Sequence, residues 1–114
     1  MLPKVNRLKK KKDFERVFKK GKGFGEKFLA LKILRNNKGK SRIGFIVPKK
    51  HFKKAVLRNK LKRQLREQIK KRLPKIKESQ DIVIITKPGL QNLDFWEIDK
   101  MLETLLLKAN VLEK

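Results

Sequence analysis

The chain has 114 residues, enough for one modest core but not for two. Its 34 Lys and Arg stand against 11 Asp and Glu, a net charge of +23, and self-repulsion of that size calls for a polyanionic partner, nucleic acid first and an anionic membrane surface second. The absence of cysteine excludes disulfides and thiolate metal sites, and the longest apolar runs, at 82–85 and 105–107, are far too short to span a membrane.

The N-terminus is basic but has no apolar h-region behind it, so no secretory signal is expected and the cytoplasm is the expected setting. Residues 1–12 read as an extended basic arm anchored by Leu2 and Leu8, the alternative being a disordered tail. Residues 13–20 predict a short helix. Phe14, Val17 and Phe18 fall at i, i+3 and i+4, and Gly21 is placed to stop it. Residues 27–34 predict a strand with Phe28, Ala30, Lys32 and Leu34 on one face and Leu29, Leu31 and Ile33 on the other. Both faces are largely apolar, so both are expected to be covered at least in part. A turn at 36–39 (NNKG) leads to a second strand over 42–47, most simply its antiparallel hairpin partner, which Pro48 ends.

A long helix begins at residue 53 or 54 and runs to about 73, where Pro74 stops it. Residues 81–86 (DIVIIT) predict a buried strand, β-branched through its centre. Pro88-Gly89 turns the chain into a last helix over about 92–109. Its apolar face is Ile98, Met101, Leu102, Leu105 and Leu106, with Asp94 and Glu97 near its positive end. The order helix, strand, strand, helix, strand, helix gives an α+β fold: a small two-layer sandwich over 1–114, a single domain containing one βαβ unit.

No constellation for protein-based catalysis emerges. His51 is the one histidine and has no nucleophile or base pattern around it, so it reads as a surface imidazole beside Lys49 and Lys50. Asp13, Glu15 and Glu26 do not form a metal-ligand pattern, so no tightly held metal is expected on the protein. Gly21, Gly23 and Gly25 precede a strand and not a helix, which is wrong for a phosphate-cradling glycine loop.

The informative segment is 55–67, AVLRNKLKRQLRE. Leu57, Leu61 and Leu65 recur every four residues, an apolar stripe on a helix. Arg58, Lys60, Lys62, Arg63 and Arg66 lie mostly beside and opposite that stripe, with Asn59 among them. Such a helix buries its leucines and still presents a wall of cations suited to phosphate. Lys49, Lys50, Lys53 and Lys54 lead into it and share its field. A charge run of this kind is often only a solvated face; the size of the excess and its concentration in one helix favour a binding surface. Phe14 and Phe18 allow two readings, core packing or a wall against which an unpaired nucleotide strand lies. Their spacing serves both.

The segment 53–67, KKAVLRNKLKRQLRE, resembles the signature helix of the bacterial ribonuclease P protein subunit, read as A-V-x-R-N-R-x-K-R-x-x-R-E. Asp13-Phe14 with Val17-Phe18 and Gly21 is similar to the family's first helix. The expected hairpin ending in Val47-Pro48-Lys49-Lys50 and the strand at 81–86 fall in the expected order. The resemblance implies the accessory protein of a catalytic RNA whose holoenzyme, an endoribonuclease, removes the 5′ leader of precursor tRNA. Catalysis would then come from the RNA subunit, with Mg2+ at the RNA active site. It further implies that Lys53, Lys54, Arg58, Asn59, Lys60, Lys62, Arg63 and Arg66 contact the RNA subunit. A cleft lined by Phe14, Phe18, Leu31, Lys49 and Lys50 would receive the leader, and the βαβ crossover would be left-handed. The implied partners are ribonuclease P RNA and precursor tRNA, with no membrane and no stable protein partner.

Two departures stand out. Lys60 replaces the second Arg of the usual Arg-Asn-Arg, keeping charge but losing bidentate phosphate geometry. Leu31 stands where an aromatic is often found and cannot stack on a base. From charge alone, another basic RNA-binding protein, such as a ribosomal protein, fits equally. A DNA reader is disfavoured because no helix-turn-helix pair precedes the basic helix.

Overall fold

A computed structural model describes residues 2–113 of the chain; Met1, at the head of the expected arm, lies outside them, as does Lys114. The elements in order are α1 (Lys11–Lys20), β1 (Lys22–Gly25), β2 (Leu29–Arg35), β3 (Arg42–Ile46), α2 (Ala55–Arg72), β4 (Gln80–Thr86) and α3 (Phe95–Lys108). Short 3-10 turns lie at Lys4–Asn6, Leu73–Lys75 and Leu90–Asn92. The four strands form one sheet in the order β1-β2-β4-β3.

That order corrects one expectation. The strands on either side of the 36–39 turn do not pair as a hairpin. β4 inserts between them, antiparallel to β2 (Leu31 opposite Ile84) and parallel to β3 (Ile43 opposite Ile82). β3, α2 and β4 therefore form a parallel βαβ unit. The segment 22–25, KGFG, also pairs with β2 as an edge strand, although glycines at alternate positions look like loop.

Strand β4 explains the layering. As a central strand it is buried on both faces, which is why its sequence reads as one apolar run. Ile82 and Ile84 join Leu29, Leu31 and Ile43 in the main core. This core is closed by Leu61, Leu65 and Ile69 of α2 and by Ile98, Leu102, Leu105 and Leu106 of α3. Val83 faces the other way, into a smaller cluster with Leu8 and Val17, edged by Phe14, Leu34, Ile46 and Ile85. So α2 and α3 cover one face of the sheet and α1 covers part of the other.

The N-terminal arm is held as its two leucines suggest. Leu2 and Leu8 are buried, and Leu8 N–H donates to the Ile43 carbonyl at 3.0 Å, laying the arm against the β3 edge. At Gly21 the helix end is extended (φ −78°) and not left-handed. Glycine is needed there because a Cβ would lie 2.9 Å from the Ile33 carbonyl oxygen. The last helix starts at Phe95, three residues later than its composition suggests, and Asp94 before it forms a capping box. Glu97 N–H donates to Asp94 Oδ1 at 2.8 Å, and Asp94 N–H donates to Glu97 Oε1 at 3.2 Å.

Two ion networks tie the layers together. Asp81, 0 % exposed at the start of β4, accepts two bonds from Arg42 (Nε at 2.9 Å, Nη2 at 2.7 Å), one from Asn36 (2.8 Å) and one from Arg16 of α1 (3.1 Å). Burial alone would push its carboxyl up. The hydrogen bonds from Arg42, Asn36 and Arg16, with the Arg42 charge, outweigh it and hold Asp81 below the ordinary carboxylate range. On the other face Arg72 of α2 bonds Asp99 (2.8 Å) and Glu103 (3.2 Å) of α3. Chiefly through the Arg72 bond, Asp99 is likewise held low. Among the described residues no helix is long and apolar enough to cross a membrane.

Candidate nucleic-acid interface

Helix α2 sorts its residues by angle. Leu61, Leu65, Gln68, Ile69 and Arg72 are buried, and Leu57 packs at the margin of the core. Asn59, Lys60, Arg63 and Lys70 are exposed on the far side. Between them runs a flank of Arg58, Lys62 and Arg66, one cation per turn, each half-buried. Lys53 and Lys54 stand exposed just before the first turn, and Lys49 and Lys50 are exposed in the turn that leaves β3. The expected cationic face therefore exists, on a helix whose apolar stripe is buried.

The flank has a floor. Lys62 and Arg66 border a groove of about 320 Å3 that also takes in Arg7 and Lys9 of the arm, Phe14, Gly44 and Phe45. Four cations from two distant segments thus converge on one apolar trough. Arg7 and Lys9 belong to the basic arm, and no local sequence pattern shows that the arm meets α2. Arg58 also differs from expectation. Its Nη1 donates to the carbonyls of Phe52 and Lys53, both at 2.8 Å, so part of its guanidinium is spent on holding the turn before the helix.

The second expected surface lies on the sheet face only partly covered by α1. Val17 points straight into the sheet and is fully buried. Phe14 and Phe18, one turn apart, edge the same flank of α1 in different states. Phe14 packs partly buried against Gly44, whereas Phe18 is 37 % exposed. Beyond Phe18 the sheet surface is built from small residues: Gly23 and Gly25 of β1 stand opposite Lys32 and Ala30 of β2. Lys32 donates from Nζ to the Phe18 carbonyl at 3.0 Å and sits 5.8 Å from the Phe18 ring centroid. Lys87 Nζ lies near Gly25, where it donates to the Glu26 carbonyl at 2.7 Å. The result is a low floor between an exposed aromatic ring and two ammonium groups.

Leu31 does not belong to this surface. It is 0 % exposed, in the core between the sheet and helices α2 and α3. Successive strand residues point to opposite faces, and Leu31 lies on the face away from α1. Its neighbour Lys32 reaches the floor. The alternation of 27–34 already separated Leu31 from Lys32; what it lacked was which face α1 would cover.

The sequence pattern of the family Ribonuclease P matches residues 2–110 of the chain. A ribonuclease P protein component from Dictyoglomus turgidum is 40 % identical over 114 residues, covering 98 % of this chain and 95 % of that protein. One from Microcystis aeruginosa is 38 % identical over 115 residues, covering 97 % and 96 %. The solved Staphylococcus aureus RNase P protein superposes with a TM-score of 0.87 at 35 % identity, over 96 % of this chain and 100 % of that one. The Thermotoga maritima protein gives 0.82 at 35 % identity, over 90 % and 96 %. With its basic helix, its α+β layering and these relatives in agreement, the chain belongs to the bacterial ribonuclease P protein family, the protein subunit of the ribonuclease that matures the 5′ ends of tRNA.

Proposed function

We propose that α2 and the turn before it bind the ribonuclease P RNA, and that the floor beside Phe18 receives the 5′ leader of precursor tRNA. The cut itself is then made by the RNA, with Mg2+ held there and not by the protein, in the cytoplasm. The observation that carries this reading is the division of α2. Its leucines are buried while Asn59, Lys60 and Arg63 stay in solvent beside the Arg58-Lys62-Arg66 flank. Cations fixed on a packed helix meet phosphate without first being ordered, which is where the binding advantage arises. The protein's role is positioning and charge screening. Asp81, Asp13, Asp99 and Glu103 are all engaged by arginines.

For the leader, Phe18 offers a flat face to an unpaired base while Lys32 and Lys87 attract its phosphates. Lys32, and not buried Leu31, reaches this floor, and Lys49 and Lys50 stand exposed in the turn after β3. The test is reconstitution. Adding the chain to a bacterial ribonuclease P RNA at low magnesium should restore cleavage of precursor tRNA at the leader junction. A chain that binds the RNA but never restores cleavage would refute the reading.

A further inference from the structure

Helix α1 has a second flank. With Val17 pointing into the sheet, Phe14 and Phe18 fall on one side, and Asp13, Arg16 and Lys20 fall on the other. On that other side two adjoining grooves, of about 430 and 410 Å3, share Arg16 and Lys38. One wall is α1, which sets Lys12, Arg16 and Lys20 in a row at four-residue spacing, about 6 Å per step. The opposite wall is the end of β2 and the turn after it, with Arg35 and Lys38. Together the grooves are lined by seven cations (Lys10, Lys12, Arg16, Lys20, Arg35, Lys38, Arg42) and one anion, Asp13.

Arg16 and Arg42 are spent on Asp13 and Asp81, but the rest of the charge is not. Asp81 beneath the groove is already saturated by Arg42, Asn36 and Arg16. Among the described residues, Lys12, Lys20, Arg35 and Lys38 are in no ion pair, and all four are exposed. The turn that carries Lys38 is held from within. Buried Asn36 donates to the Lys40 carbonyl at 3.1 Å and to Asp81, and its Oδ1 accepts from Lys38 N–H at 2.9 Å. A two-walled cationic trough suits a nucleic-acid backbone better than a fluid anionic surface, which needs no walls.

We propose that this trough is a second binding site for the phosphate backbone of the ribonuclease P RNA, separate from α2. It rests on the reading that the chain binds that RNA. Helix α1 then divides two nucleic acids, with the leader along its Phe18 flank and a strand of the RNA subunit along its Arg16 flank. The leader on its floor cannot reach the trough without crossing the helix, so the trough is left to the other RNA.

The test compares wild type with a chain carrying Lys12→Gln, Lys20→Gln, Arg35→Gln and Lys38→Gln. A control carries four neutralised lysines elsewhere, at Lys4, Lys27, Lys75 and Lys100, all exposed. Affinity for a bacterial ribonuclease P RNA is measured as a function of salt, with the melting temperature of each chain checked. The trough variant should lose tenfold or more in affinity near 0.2 M salt. Its slope of log affinity against log salt should be shallower by about three, as four lost phosphate contacts require. The control should keep most of the wild-type slope, and the holoenzyme's preference for leader-bearing over mature tRNA should stay unchanged in both. Equal losses in trough variant and control would reduce the effect to net charge and overturn the proposal. A change confined to precursor tRNA affinity would give the trough to the substrate and overturn it too. Normal binding by wild type and trough variant alike removes the trough alone, whereas no binding by wild type removes both readings.

Discussion

The ring of Phe14 occupies the space that a side chain on Gly44 would need. A Cβ at Gly44 would lie 2.6 Å from Phe14 Cε1 and 3.2 Å from Leu8 Cβ. The glycine in β3 thus seats the aromatic of α1 and an anchor of the N-terminal arm at once. Gly44→Ala should displace the ring and cost about 1–3 kcal/mol, as overpacking does. A double-mutant cycle with Phe14→Ala, read by urea melts, should show strong coupling, because removing the ring frees the space the methyl needs. Simple additivity would mean that the two residues do not share that volume.

Arg58 and Arg63 should separate, although the sequence treats them alike. Both are expected to weaken RNA binding when replaced by alanine. Only Arg58 holds the Phe52 and Lys53 carbonyls, so Arg58→Ala should also cost about 1–2 kcal/mol of stability. Arg63 is exposed, and its replacement should stay within about 0.5 kcal/mol of wild type. Leu61→Ala, in the core, should cost about 2–5 kcal/mol and leave the cationic face intact. Equal melting temperatures for the two arginine variants would show that the carbonyl contacts contribute nothing.

What the sequence made legible follows from how local each signal is. The leucine stripe of α2, the apolar face of α3 and the β-branched run of β4 are periodic within one element, and each is where its period puts it. The hairpin expectation failed because a turn at 36–39 reports only a reversal. It cannot report that a strand 40 residues later enters between the two arms. β1 was missed because Gly23 and Gly25 carry no apolar signal; their small size matters only against Lys32 and Ala30 across the strand pair. The Asp81 cluster draws on Arg16, Asn36 and Arg42, residues from three other segments, and no spacing rule joins them.

That cluster should make stability pH-dependent in acid. The folded-state pKa of Asp81 lies below its value in the unfolded chain, so the unfolded chain binds more protons as pH falls through about 4. The stabilisation is complete above that value and is lost as the pH drops towards the folded-state pKa. Asp99, held low chiefly by Arg72, acts in the same direction. Asp81→Ala at neutral pH should cost about 1.5–3 kcal/mol, because partly buried Arg42 loses the shorter of its two carboxylate contacts and keeps only Asp13. Urea melts of wild type and variant at pH 3 and pH 6 check both points. If the variant kept the full wild-type loss between those values, Asp81 would not be its source.

Phe18 gives the sharpest test of the leader floor. The residue is 37 % exposed and its ring lies beside the Lys32 ammonium, outside the contacts that fix Phe14. Phe18→Leu should therefore leave the melting temperature nearly unchanged, while Phe14→Leu lowers it by vacating the seat over Gly44. Losing a flat face on which one base stacks costs about 1–3 kcal/mol, or roughly five- to 150-fold in affinity. In the holoenzyme that loss should fall on precursor tRNA with a leader and spare mature tRNA. Lys32→Gln should shift the same ratio more weakly, and its effect should fade at high salt, since it removes charge and not a stacking surface. Equal weakening for both RNAs by Phe18→Leu would place the ring outside the leader path, and a large fall in melting temperature with the ratio unchanged would return it to the core.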